Sequence, residues 1–332
     1  MRRRQRALGD GVSLDLDFDV GQQALADALA RLCRDRGADD ALGVPMGCFP
    51  ETLWREIAEL GVLAIGTAEG EGGALELVAA MESLGAAVFP GPLVATAFAL
   101  RLLPEAERRP IASGKSVVCV AVPPELPFGT RADVFVEVDR ASGRAWRAAP
   151  DGPVEPVETL GGEPWGRGRL ARGAALAGLE SALAWADLAR AAYLAAAARR
   201  LLDDAAEHAR TRKQFGRAIG EFQAVAHPLA DAVIALEGSR VLARSAAYHL
   251  DAGGPKSHAR AAAARLSATR AALEALHVAH QVFGAIGITL EGPAFPVTRR
   301  IRQVASAPPS DARAAPAVLT AFTSLAQPEA RP

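Results

Sequence analysis

The chain has 332 residues and a mass of 34.5 kDa, enough for one large domain or two to three small ones with a substantial core. Half of the residues are apolar but only 5% are aromatic, and alanine dominates, a mix that favours helix because alanine loses no side-chain entropy there. A net charge of −1 argues against nucleic acid or an anionic membrane surface as the partner.

The predicted elements fall into three regions: 1–113, 114–172 and 173–332. The N-terminal MRRRQR is followed by the broken, acidic GDGVSLDLDFDV rather than an apolar segment, so no signal peptide is expected. Between residues 20 and 113 apolar residues recur at three- and four-residue spacing in VGQQALADALARLCRDRG, ETLWREIAELGV, LELVAAMESLGAAV and VATAFALRLLPEAE, which predicts a domain of short helices. Residues 114–172 are richer in β-branched residues, Gly and Pro. SVVCVAV and ADVFVEV anchor a small β module of four or five strands.

Two long helices are predicted next, over about 175–213 and 221–252. Gly253, Gly254 and Pro255 then stop the chain before a third helix over about 257–283. ASAPPSDARAAP breaks the pattern before a short helix near 315–326. The fold class is therefore mainly α: an N-terminal helical domain, a small β module and a C-terminal antiparallel four-helix bundle. Cys33, Cys48 and Cys119 are scattered and form no CxxC pair, which points to a reducing, cytoplasmic setting without a disulfide framework. No apolar run reaches the ~18 residues of a membrane span.

The stretch RTRKQFGRAIGEFQAVAHPLAD, residues 210–231, places Arg210, Arg212, Lys213 and Arg217 around Phe215 and Gly216 at a helix–helix corner. Basic residues at a helix C-terminus complement its macrodipole and need no ligand. A guanidinium beside a glycine turn and a following helix N-terminus is also an anion site, with pyrophosphate as a natural guest. HQVFGAIGITLEGP, residues 280–293, has a related character, because Gly284 and Gly287 let a ligand or another chain approach the backbone.

RKQFGxxIxxFQ with HxLAD, then QxFGAxGxxxExP and RRIR, resemble the acyl-CoA dehydrogenase family, as do EIAELGVLAI, EGEGG and ELVAAMESLGAA earlier in the chain. The matches run in family order from about residue 20 to 303. The resemblance implies a flavoprotein that oxidises an acyl thioester, on CoA or an acyl-carrier protein, to the trans-2-enoyl product. A carboxylate takes the α-proton and the flavin takes the β-hydride. It also implies FAD at a subunit interface and an electron-transfer acceptor.

By position in the motifs, Arg212 matches the arginine that meets the FAD pyrophosphate. Gln214, Phe215, Ile219 and Gln223 match positions lining the same cofactor half, and Gln281 and Gly284 the downstream element. Ala285 replaces the family's second glycine, and His227 sits where the motif's histidine often sits.

Two departures stand out. AVPPELPFGTRADVFVEV replaces the family's T-E-P-x-x-G-S-D and W-I-T-N segments, which hold the flavin ring. The register of the usual catalytic glutamate falls on Pro308 and Pro309. A second family register, early in the first long bundle helix, falls on Ala186, and Asp187 beside it becomes the candidate base. Two readings follow: a dehydrogenase working as a homo-oligomer, or a non-catalytic subunit of a heteromer that supplies FAD contacts to a complete partner. Glu274, His277 and His280 make one E-x-x-H face. A di-iron bundle needs two such motifs, so no metal is expected.

Overall fold

A computed structural model describes residues 16–36, 48–68, 70–139, 141–290, 292–309 and 314–323. MRRRQR and Glu291 of the LEGP step lie outside them. Five helices come first: α1 (Val20–Asp35), α2 (Glu51–Glu59), α3 (Ala74–Ala86), α4 (Leu93–Leu102) and α5 (Glu105–Ala112). Asp19 begins α1 with a capping box, its carboxylate accepting from the Gln22 amide while the Gln22 side chain accepts from the Asp19 amide.

The β module follows: β1 (Val118–Ala121), β2 (Glu125–Leu126), β3 (Val134–Asp139), β4 (Arg144–Pro150), β5 (Glu155–Val157), β6 (Trp165–Arg167) and β7 (Leu170–Leu176). These are seven strands where four or five were expected, because three of them are only two or three residues long and carry too little periodicity to read. They form a four-stranded sheet ordered β1-β3-β4-β7 and a three-stranded sheet ordered β2-β6-β5. Among the described residues, only β1 and β3 pair in parallel. The acidic alternation of VFVEV does not place Glu137 in solvent: it is 7% exposed and its carboxylate receives Arg172 from β7.

The bundle consists of α6 (Leu179–Thr211), α7 (Gln223–Asp251), α8 (Ser257–Phe283) and α9 (Ala294–Ser306), and α10 (Ala314–Thr323) lies against α8. A two-stranded hairpin, β8 (Lys213–Gln214) and β9 (Arg217–Ala218), joins α6 to α7. Helix α6 is the axis of the molecule, packed by α3, α4, α7, α8 and α9. Its alanines 184, 189, 191, 192, 197, 198, 205 and 209 are buried, and side chains this small let neighbouring helices approach closely. At its N-terminal end, Ala182 and Ala186 join Phe98, Leu103, Val118, Val120 and Val136 in the core shared with the sheet.

Contrary to the sequence expectation, one helical segment, 257–288, is long and apolar enough by length and composition to cross a membrane, with mean hydropathy 1.3 over its best window. Alanine content, not an unbroken aliphatic run, produces this. The segment packs between α6 and α7, with 44% of that window buried in the bundle.

Candidate functional site

The sequence-selected cofactor residues gather at one end of the bundle. The last turns of α6 and α8 meet there, with the His208 and Phe283 rings 5.2 Å apart. Arg212 ends α6 in an extended conformation, its amide bonded to the His208 carbonyl and its own carbonyl receiving the Ile219 amide, both at 2.8 Å. That second bond closes the hairpin. Its tip is the pair Phe215 and Gly216, both with positive φ (53° and 82°), which is tolerable for glycine but strained for phenylalanine. Phe215 is 91% exposed, edge-on to Phe222, over whose ring Arg217 lies at 4.1 Å.

Arg212, Gln214, Gln223 and Gln281 are all exposed, whereas Ile219 is half-buried against the core. Gln223 opens α7, whose N-cap, Phe222, makes no side-chain capping bond. The first N–H groups of α7, which follows the hairpin in sequence, therefore lack a capping side chain. Gly284 ends α8 at φ 62°, and a Cβ there would meet nothing within 4 Å, so its backbone is open to a ligand. His227 is exposed in the first turns of α7. A guanidinium, three carboxamides and a helix N-terminus make a donor set suited to a pyrophosphate and its flanking sugar hydroxyls. This is a fit for the dinucleotide half of FAD.

Asp187 lies elsewhere. Twenty-five residues of α6 separate it from Arg212, about 37 Å at the usual helical rise. It is 5% exposed, and its Oδ1 is 2.7 Å from Nε of Arg265 on α8, itself buried. A carboxylate held by a buried guanidinium is stabilised in its charged form, while removing one partner leaves a costly buried charge.

Asp187 and the Arg212 cluster do not share a site within one chain. One turn on, Arg190 is 1% exposed and donates to the Ala307 carbonyl at 2.6 Å. Pro308 and Pro309, joined by a cis peptide bond, follow directly.

Arg190, Ala307 and Pro308 line a small cavity with Phe128, Glu163 and Trp165, at the junction of bundle, β module and N-terminal helices. Its volume is about 40 Å³, space for one or two waters but not for a flavin ring or a thioester. Glu163 contacts Arg300 of α9, and Arg300 also donates to the Gly161 carbonyl at 3.2 Å. Burial lowers the Arg300 guanidinium to about 9, so it is charged at neutral pH, and it meets the Glu163 carboxylate. Gln303 completes this clasp by accepting from the Gly161 amide.

Sequence reasoning missed Arg190, Arg265, Glu163 and Arg300. The available signal was an arginine on the apolar face of an alanine-rich helix, as in ADLARAAY. Among the described residues, no group of three or more His, Cys, Asp or Glu side chains is arranged to hold a metal ion.

The family model for the acyl-CoA dehydrogenase C-terminal domain matches residues 173–308. An acyl-CoA dehydrogenase, IpdE2, of Mycobacterium tuberculosis (strain ATCC 25618 / H37Rv) is 29% identical over 288 residues, covering 81% of this chain and 87% of the relative. The chain is thus similar to acyl-CoA dehydrogenases over most of its length, and its residues 173–308 match that family's C-terminal domain.

Among solved structures, the ChsE4-ChsE5 complex from Mycobacterium tuberculosis superposes with a TM-score of 0.72 at 24% identity, covering 88% of this chain and 94% of that one. The FAD complex of PigA gives 0.76 at 18% identity, covering 94% of this chain and all of that one. At such identities these two structures establish the shared fold. The bundle end bearing Arg212 lies inside the matched C-terminal region, while the β module lies outside it except for the end of β7.

Proposed function

We propose that this chain works in an FAD-dependent acyl-CoA dehydrogenase, an oxidoreductase that introduces the α,β double bond into an acyl thioester carried on CoA or an acyl-carrier protein. The observation that supports the proposal is the open bundle end: Arg212, Gln214, Gln223 and Gln281 are exposed and the Gly284 backbone is open, where α6 and α8 end and α7 begins. Phe215 and Ile219 flank it. Bound there, FAD would supply the hydride acceptor for the β-carbon. The chain's own residues bind and orient. Arg212 neutralises phosphate charge, the carboxamides fix the cofactor's polar edges, and the exposed apolar residues Phe215, Ile286, Ile288 and Leu290 exclude water once a second subunit covers them.

A second reading, favoured by separate observations, is that the chain supplies these contacts to a catalytic partner and does not remove the α-proton itself. Asp187 is committed to Arg265, and the junction cavity is small, lined by Arg190 and by Glu163, which is itself paired with Arg300. The IpdE2 relative is named an acyl-CoA dehydrogenase, and the ChsE4-ChsE5 structure is named as a complex of two different chains. Both names are compatible with a dehydrogenase subunit.

The test is to purify the chain alone and with a dehydrogenase-like subunit, then measure flavin absorbance and its bleaching by acyl-CoA. Flavin and bleaching only in the mixed complex are expected under the partner reading. Bleaching by the lone chain would assign catalysis to it, and no flavin in either preparation would sink the FAD proposal.

A further inference from the structure

The 3-10 turn that follows α8, Gly284–Ile288, has a single buried residue, Gly287, and the rest of it is exposed. A Cβ on Gly287 would lie 2.9 Å from the Phe283 Cβ and 3.3 Å from Nδ1 of His280. The missing side chain thus lets the turn sit directly on the imidazole. The same residue holds the other glycine, because the Gly284 amide donates to the His280 carbonyl. Through Nε2 the ring is tied to α9, sharing a 2.8 Å hydrogen bond with Oγ1 of the buried Thr298. Nδ1, on the side of Gly287, is buried and has no hydrogen-bond partner among the described residues. One half-buried imidazole therefore joins α8, α9 and the turn between them.

We infer that His280 is a proton-operated latch: the neutral ring pins the turn to α8 and α9, and the protonated ring releases it. A neutral imidazole can lie against the glycine backbone with Nδ1 unbonded, whereas an imidazolium carries a second N–H donor and a charge that needs solvent. Its surroundings supply little for that charge. Burial first, and Arg302 of α9 next, disfavour the proton, and His277 one turn back on α8 adds to this. The Gly287 backbone favours the proton but is outweighed. The turn itself carries no titratable side chain, and α6 brings His208 to the neighbouring Phe283 ring at 5.2 Å. These groups include no carboxylate. When the turn opens, water reaches the ring and the proton is taken up in the ordinary imidazole range, so the closed form weakens as pH falls through that range. The Gly284 backbone and the exposed Ile286 and Ile288 side chains are carried on this turn, so they hold a fixed position at neutral pH and lose it in mild acid. The latch is read from the contacts of the ring and does not rest on the cofactor assignment.

Deuterium exchange of the chain alone, without flavin, tests the latch at about pH 7.5 and about pH 5.5, on either side of the ordinary imidazole pKa. Each rate is corrected for the intrinsic effect of pH on exchange. Protection of the amides of residues 284–288 is expected to fall several-fold at the lower pH, while the amides of α1 keep theirs. His280→Gln retains a side-chain amide for Thr298 but does not titrate, and is expected to abolish the pH dependence. His277→Gln is expected to keep it. Gly287→Ala drives a methyl group against Phe283 and the imidazole, and is expected to leave the turn as poorly protected at the higher pH as the wild type is at the lower. Equal protection of the wild-type turn at both pH values, the same fall in His280→Gln, its loss in His277→Gln, a fall shared equally by α1, or wild-type protection in Gly287→Ala would overturn the inference. Flavin content, measured on separate samples, reports on the proposed function alone.

Discussion

Near the N-terminal end of α6, Arg190 and Asp187 are buried, each held by a group from another helix or its following turn: the Ala307 carbonyl and Arg265. At its C-terminal end, Arg212 is exposed, beside a strained hairpin tip and an open glycine. The residue types are similar, but their surroundings make them different tools. Buried charges with fixed partners fasten helices together and are poor at exchanging protons or ligands. An exposed guanidinium at a helix corner remains available to bind. One helix thus carries a buried ion pair at one end and an exposed guanidinium, the proposed pyrophosphate contact, at the other.

The largest expected effect breaks the clasp. Arg265→Met strands the Asp187 carboxylate in the core and is expected to cost about 3–5 kcal/mol, the range for unpairing a buried ion pair. Denaturant titration measures it. Asp187→Leu added to Arg265→Met should recover most of the loss, and flavin binding by the rescued protein should match the wild type. If Asp187 instead served as the base, Asp187→Asn would abolish acyl-CoA-driven bleaching even under conditions where the variant stays folded and flavin-bound, beyond the stability lost by leaving Arg265 unpaired.

At the open end, Arg212→Ala is expected to weaken FAD binding by about 10- to 100-fold, the worth of a hydrogen bond to a charged group. Little change in unfolding midpoint should accompany it, since the side chain is exposed. Full FAD occupancy in this variant would refute the pyrophosphate assignment.

Phe215→Gly should act oppositely on two readouts. Relieving a positive φ stabilises the lone chain by about 1 kcal/mol, whereas removing an exposed ring weakens association with the flavin-bearing complex. Calorimetry and binding on one sample separate the two.

The smallest effect is pH-dependent. Burial first, then Arg302, lowers the His280 pKa below its ordinary value, and its Nε2 lies 2.8 Å from Thr298 Oγ1. Between the folded value and the ordinary one, the unfolded chain binds more protons. The contribution of neutral His280 is therefore complete above the ordinary imidazole range and lost as pH falls through it. His280→Gln should flatten part of the acid side of the stability curve. A residual slope is expected from His249, which burial and Arg260 also lower.

The hairpin tip shows why part of the site was legible. Arg212, Gln214 and Phe215 are neighbours in sequence, and a glycine turn between two helix-forming runs locates them without tertiary information. Gln281 and Gly284 were legible for the same reason, as the end of a periodic segment. Asp187 shows the opposite case. Its spacing from Phe215 could be counted, but Arg265 lies 78 positions away, and nothing local says which faces of α6 and α8 meet. The junction cavity is harder still, because Phe128, Glu163, Arg190 and Pro308 come from four separate parts of the chain.

The sequence by itself determined the helical character, the order of N-terminal helices, β module and bundle, and the basic turn between the first two long helices, because alanine content, period and glycine placement act over a few residues. It did not show α9 or that the turn closes as a β hairpin. Only the tertiary structure decided which charges are free to work. Arg190 and Arg265, in alanine-rich helix, are sealed in the core by packing, whereas Arg212, at the end of α6, is left in solvent.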